Sequence, residues 1–348
     1  MPISIMSSVT AAQALVCHNC HPHSVFINSK PSHTLSYHHQ FHRKLESLAT
    51  KTISSWPLRQ MQPLSKQNPI KLRPLVCYGY SRKPTSTEVE GNHNTRRLLQ
   101  IMLWVAEGVY ILWLFLLPYA PGDPVWAISA ETVNSLVGLS LNFFFILPLM
   151  NSVGICLIDS PVLHPMSEGL FNFVIGWTLL FAPLLYTDKK RDRYKGSLDV
   201  LWGMQMFLTN TFLIPYMAIR LNEADTNYTP SKRSQLGFVM TNGAPIVGLI
   251  GGVACLISVL WALFGRMDGN FGSITDRWEF FVSYLGSERL AYAFIWDICF
   301  YTIFQPWLIG DNLQNVQKSK VDTVNYLRFL PVVGLIAYLL FLVCDAEP

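Results

Sequence analysis

Acidic residues are almost missing from the first 78 residues of this 348-residue chain: Glu46 stands alone against eight bases. No Lys, Arg, Asp or Glu precedes Lys30. No apolar run there is long enough for a secretory core or a membrane span, so a secretory signal is excluded from it. What remains is Ser-rich and scattered with bases, which is the composition of an organelle transit peptide. The uncharged start, without an Arg-rich amphipathic helix, favours a plastid over a mitochondrion. We expect residues 1–77 to be a cleaved plastid transit peptide, ending near Cys77 in "RPLVCYGYS".

This bears on Cys17, Cys20 and His21, which have the C-x-x-C-H spacing of a covalent haem site. They lie inside the removable segment, in a stretch with no apolar pattern to wrap a porphyrin, so no haem is expected. Seven of the nine histidines lie between His18 and His42 and leave with it. Only His93 and His164 remain, too few for a His-cluster metal centre. Asp159, His164 and Glu168 form a mixed set without a recognised metal spacing. Cys156, Cys255, Cys299 and Cys344 are far apart in apolar runs and read as small apolar fillers. No cofactor and no metal are expected.

Charge of one sign is also scarce once the presequence is set aside. The full chain has 26 bases and 22 acids, and the part after residue 78 keeps 18 and 21, about −3 in net charge. The basic balance of the whole therefore reflects the import signal, and no nucleic-acid partner is expected. There is no Gly-rich phosphate loop, no G-x-S-x-G, no H-E-x-x-H and no repeated acid-rich pair.

Long apolar runs, by contrast, are plentiful after Leu98. Seven have the length of a bilayer span: 98–118, 133–158, 166–187, 199–219, 243–265, 289–309 and 325–345. Helix is the expected form, and Trp and Tyr near many ends give the usual interfacial belt. The fold expected is all-α: a polytopic membrane helical bundle over 98–345, behind a short polar stromal tail, 78–97. Arg96 and Arg97 put that tail on the positively charged side. Seven crossings would then put the most basic loop, 187–197, on the opposite side. Six crossings, with 133–158 failing to cross, is the alternative.

Two short stretches resemble each other, "NFFFILPLM" (142–150) and "NTFLIPYM" (210–217). Matched Pro-interrupted helices can flank a midplane site, although so short a match also arises by chance. Ala244, Gly248 and Gly252 form a small-residue stripe that permits close helix contact, expected to be internal.

Ionisable groups at membrane depth are costly and mark candidate sites. Glu107 and Asp297 qualify, and Tyr301 and Gln305 follow Asp297 at four-residue steps on one helix face. Asp297, Tyr301, Gln305 and Glu107 are the candidate functional residues. The structural alternative is that Asp297 fixes packing with an Arg or Asn, Arg289 being the first partner to test. Asn142, Asn151, Asn172, Gln205 and Asn210 read as packing amides.

The functional expectation is an accessory, assembly or stability factor of thylakoid or inner envelope. Two alternatives stand beside it: an enzyme acting on a carotenoid, quinone or prenyl lipid, and a carrier of a small ion or metabolite. Expected partners are membrane lipids, with other plastid membrane proteins or an apolar pigment or lipid ligand beside them. Peptide sequencing of the mature protein should find its N-terminus within about ten residues of Cys77. Retention of His18–His42 would overturn the transit-peptide reading.

Overall fold

A computed structural model describes residues 86–223, 233–266 and 269–343, with side chains from His93 onward. The expected transit peptide lies outside the described residues. Among these residues the structure is helical, and the only pairing of strand type is a bridge between Val316 and Leu342.

The helices, in chain order, are α1 (Ser86–Ile111, extended by a π turn over Leu112–Leu116), α2 (Ala130–Leu141), α3 (Ile146–Ser152) and α4 (Pro165–Thr187). They continue with α5 (Leu198–Leu208), α6 (Asn210–Ile219), α7 (Gln235–Asn242) and α8 (Ala244–Phe264). The last four are α9 (Ile274–Ser287), α10 (Arg289–Asp311), α11 (Val321–Leu327) and α12 (Val333–Leu340).

Helix α4 is the axis of the bundle. It is apolar all round and almost wholly buried, as a central helix must be. It meets α8 antiparallel and very closely. A Cβ on Gly169 would lie 2.6 Å from the Ser258 carbonyl, and one on Gly251 would lie 2.6 Å from Leu180. The Gly248 and Gly252 pair expected to form an internal seam does so, against Leu339 and Ile336 of α12.

Helix α1 buries one stripe, Leu103, Glu107, Tyr110 and Leu114, at helical spacing. Its other faces are apolar and exposed, and so is the outer face of α8, including Ile246, Leu249, Val253, Leu256 and Leu260. Outward apolar faces of this kind are compatible with a multi-pass membrane protein.

Four helical segments are long and apolar enough to cross a bilayer: 93–116, α4, α8 and α10, or five if the bent pair α2–α3 counts as one span. The seven crossings expected from the apolar runs are thus not confirmed among the described residues. The hydrogen bonds show why. At one end of the bundle, the basic end, Arg96 and His93 bond Glu223, and Gln100 bonds Asn222. Asp188, just after α4, pairs with Arg220 there, just after α6. At the other end, Arg289 at the start of α10 bonds the carbonyls that close α1, and Arg266 after α8 pairs with Glu168 in the first turn of α4.

The run 199–219 thus begins and ends at the basic end. Asp199 near its start bonds Tyr186 and Ser234, and Arg220 beyond its end bonds Asp188. Thr209, at φ 38° and ψ −110°, breaks it into helices of 11 and 10 residues, too short to cross. The run 325–345 lies within a segment that behaves likewise: Val332 at φ 63° separates α11 from α12, and the chain returns to bridge Val316. The segment 133–158 is bent by 41° at its break, and both its flanks lie at the end opposite the basic one. Gly122 before it and Pro161 after it give their carbonyls to Arg289 and Arg266. Of the three non-spanning segments, the one at 133–158 was open to reading from sequence and the other two were not.

The stretch between the apolar runs 243–265 and 289–309 contains α9. Ser273 and Asp276 cap its start reciprocally, and Arg277 caps the end of α8 through the Ala262 and Gly265 carbonyls.

With native cysteines replaced by Ala, Arg97→Cys and Lys195→Cys should react with an impermeant thiol reagent from the same side of sealed vesicles, and Glu279→Cys from the other. Labelling of positions 97 and 195 from opposite sides would restore an odd number of crossings between them.

Candidate functional site

Thr209 and Asn210 form the tip of the α5–α6 hairpin, and the tip rests on Asp297. Asp297 is eight residues into α10, about 12 Å from the start of that helix and about 21 Å from Asp311 at its end. Three donors converge on its Oδ1: the Tyr110 hydroxyl at 2.9 Å, Thr209 Oγ1 at 2.7 Å and Asn210 Nδ2 at 2.8 Å. Asn210 also reaches the Asp297 main-chain carbonyl at 3.3 Å. The carboxyl is 1% exposed, and no Lys, Arg or His pairs with it among the described residues. Three donors aimed at one oxygen are complementary to a carboxylate, which only accepts.

The tip is strained as well as polar. A β-branched residue at positive φ is a true outlier, and such strain concentrates at functional sites. Several buried polar atoms on α1, α5 and α6 make no hydrogen bond among the described residues. They include both amide atoms of Gln205, Asn210 Oδ1, Thr211 Oγ1 and Glu107 Oε2. Gln205 is fully buried one helical turn before the tip. Its amide comes beside the Tyr301 hydroxyl, yet makes no bond of ordinary geometry. Tyr301 instead shares a 2.6 Å bond with Thr178 of α4.

The four residues singled out from sequence separate into different roles. Asp297 and Tyr301 sit together at the tip. Glu107 is one turn before Tyr110 on the buried stripe of α1, which packs against α6. Gln305 is fully engaged elsewhere. Its oxygen accepts from Trp177 Nε1 and Val332 N at 3.1 Å, and its nitrogen donates to the Arg328 and Leu330 carbonyls at 2.8 Å. It holds the break between α11 and α12 and has no bonding capacity left for a ligand. Arg289, the first partner to test under the structural alternative, is engaged elsewhere: it donates to the carbonyls of Leu114, Leu117, Ala120, Pro121 and Gly122. The amide partner, Asn210, is present.

The mixed set of Asp159, His164 and Glu168 does not assemble. Glu168 accepts from Arg266 through both oxygens, from Asn142 at 2.5 Å and from Trp261 at 2.7 Å. His164 stacks on Phe280, and its Nδ1 accepts from Met166 N as the cap of α4. Burial, with the Arg277 charge second, pulls its pKa down to about 4, so the ring is neutral near pH 7.

Sequence reading missed Tyr110 and Thr209, and also the anchor at the basic end. Arg220 makes a two-point bond to Asp188 at 2.8 Å and a third to Asp311 at 3.0 Å, while Tyr216 and Asn312 also donate to Asp188. This fixes the root of the hairpin to α4 and α10. The twinned motifs also gain a structural parallel. Asn142 and Asn210 both stand at a helix break, and each bonds an acid on a full-length helix, Glu168 and Asp297 respectively.

No protein-family model matches the chain, and neither the curated proteins nor the solved structures contain a match.

Burial pushes the Asp188 carboxyl up, but the Arg220 bonds and charge, with Asn312 and Tyr216, outweigh it and hold it below the usual carboxylate range. A depressed pKa contributes stability that is present above the unfolded value and lost as pH falls through the folded one. Thermal stability in detergent from this group should hold from pH 7 down to about 5 and fall only below about 4. Asp188→Asn leaves a buried Arg220 short of its partner and should destabilise by about 3–5 kcal/mol. An unchanged melting temperature would remove the anchor from the account.

Proposed function

We propose that the protein is a membrane carrier that moves a proton or small cation through the Asp297 site, working in a plastid membrane, thylakoid or inner envelope. One observation carries this reading. A buried carboxyl, without a cationic partner among the described residues, meets the strained tip of an interrupted helix, deep within the bundle. Interrupted helices that meet an ionisable group at such depth are the common arrangement of ion and proton pathways.

The other two readings draw less from the geometry. An accessory role in assembling a thylakoid or inner-envelope complex rests on short loops and missing motifs, to which the helix arrangement adds nothing. An enzyme acting on a carotenoid, quinone or prenyl lipid needs a lined apolar pocket around Asp297, Tyr301, Gln305 and Glu107. Gln305 is committed to the main chain of 328–332. The plastid location is supported by the composition of residues 1–77 alone.

Purified full chain in liposomes should collapse an imposed proton or alkali-cation gradient about tenfold faster than empty liposomes, with Asp297→Asn near the empty rate at equal incorporation. A wild-type rate equal to that of empty liposomes, or an Asp297→Asn rate equal to wild type, would reject the carrier.

A further inference from the structure

We infer that the hairpin tip binds a dehydrated monovalent cation of the alkali class, held by oxygen atoms of Asp297, Asn210 and Gln205. Transport of that ion rests on the carrier reading, whereas its binding does not.

The first argument is charge. Among the described residues, Asp297 is buried with three neutral donors and no cationic side chain. A negative group at such depth is costly unless its charge is compensated. The chain itself provides a comparison. At the other Asn-marked break, Glu168 receives the same kind of amide bond, from Asn142, and its charge is met by the Arg266 guanidinium at 2.7 Å. Asp297 has the amide and lacks the arginine. A single mobile positive charge completes the second site as Arg266 completes the first.

The second argument is the surplus of acceptors, which separates a metal cation from a proton. A proton needs one acceptor. An alkali cation needs several oxygens to replace its water. Asn210 Oδ1 belongs to the amide whose nitrogen bonds Asp297, so it lies within about 5 Å of that carboxylate. It makes no hydrogen bond and is fully buried. Gln205 is buried, and neither of its amide atoms makes a bond of ordinary geometry among the described residues, so its oxygen is open to a ligand. The Tyr301 hydroxyl, one turn from Asp297, lies beside that amide. Thr211 Oγ1 and Glu107 Oε2 are further open oxygens on α6 and α1, which pack on each other. Oxygen donors without sulfur or imidazole select a hard ion. One carboxylate at the contact selects a single positive charge.

Thermal melting of the purified full chain tests this, in NaCl or KCl against choline chloride at equal ionic strength. One alkali salt should raise the melting temperature by about 4 °C or more, saturably, through binding to the folded state. Gln205→Leu removes a side chain that makes no hydrogen bond. In choline chloride it should melt at or above the wild-type temperature, while its half-saturating cation concentration rises tenfold or more. Asp297→Asn should lose the shift. Equal melting in all three salts, a shift from MgCl2 or CaCl2 with none from NaCl or KCl, or a full shift in Gln205→Leu would each overturn the cation site. Asp297-dependent proton flux in liposomes without any alkali dependence would leave the carrier standing and remove this site. Saturable cation binding without flux would do the reverse.

Discussion

At four places in this bundle a helix breaks or ends and frees main-chain groups, and a side chain from a full-length helix lies at each of them. In an apolar surrounding, water cannot take that part. Asn172 of α4 accepts from Phe144 N at 2.6 Å and donates to the Asn142 carbonyl, which secures the break before α3. Gln305 of α10 secures the break between α11 and α12 with three main-chain bonds. Arg289 gathers five carbonyls where α1 ends. At the α5–α6 break, the helix α10 offers Asp297 instead, and its Oδ1 is taken up by side chains. Three breaks are closed by polar groups that finish satisfied. The fourth ends in a carboxyl surrounded by unsatisfied ones.

This pattern also settles the distribution of charge. With both flanks of 133–158 at the opposite end, the tail bearing Arg96 and Arg97 and the basic stretch 189–195 share one end of the bundle. The conflict with a positive side, which arises only from counting seven crossings, disappears. The described cations of the opposite end are Arg266, Arg277 and Arg289. All are buried, and each is spent on Glu168 or on helix-end carbonyls. None contributes a mobile positive surface there.

Helical class, the position of the apolar runs and the depth of Glu107 and Asp297 were legible in the sequence because they depend on local composition. The number of crossings was not. A run of 21 residues such as 199–219 has the hydropathy of a span, and nothing local shows that Thr209 turns at positive φ. That turn is tied to the tertiary bond from Thr209 to Asp297, 88 residues downstream, which also receives Tyr110 from well upstream. The Asn in "NTFLIPYM" was the one visible trace, since Asn142 and Asn210 occupy equivalent places at two breaks. Gln305 was legible as an aligned polar residue, but its partners at 328–332 were not. The same four-residue step therefore joined a site residue and a structural one. Arg289 misled for a related reason. A charge pair is the nearest chemical guess for a buried arginine, but carbonyls at a helix end compete for the same donors.

The hairpin is unequal along its length, and this gives the site its mechanical character. Its root is tied by a two-point Arg220–Asp188 pair reinforced by Tyr216 and Asn312. Its tip has a strained Thr209, costing about 1–3 kcal/mol, and open amide atoms costing about 1–3 kcal/mol for each unmet group. Favourable interactions accumulate at the basic end and unfavourable ones at Asp297. A change in what occupies the tip therefore acts on the least stable part of the segment, while the root holds its register. The bonds from Tyr110 on α1 and from Thr209 and Asn210 at the tip all end on the Asp297 oxygen, so charge at that one atom couples α1, the hairpin and α10 at the depth of the site.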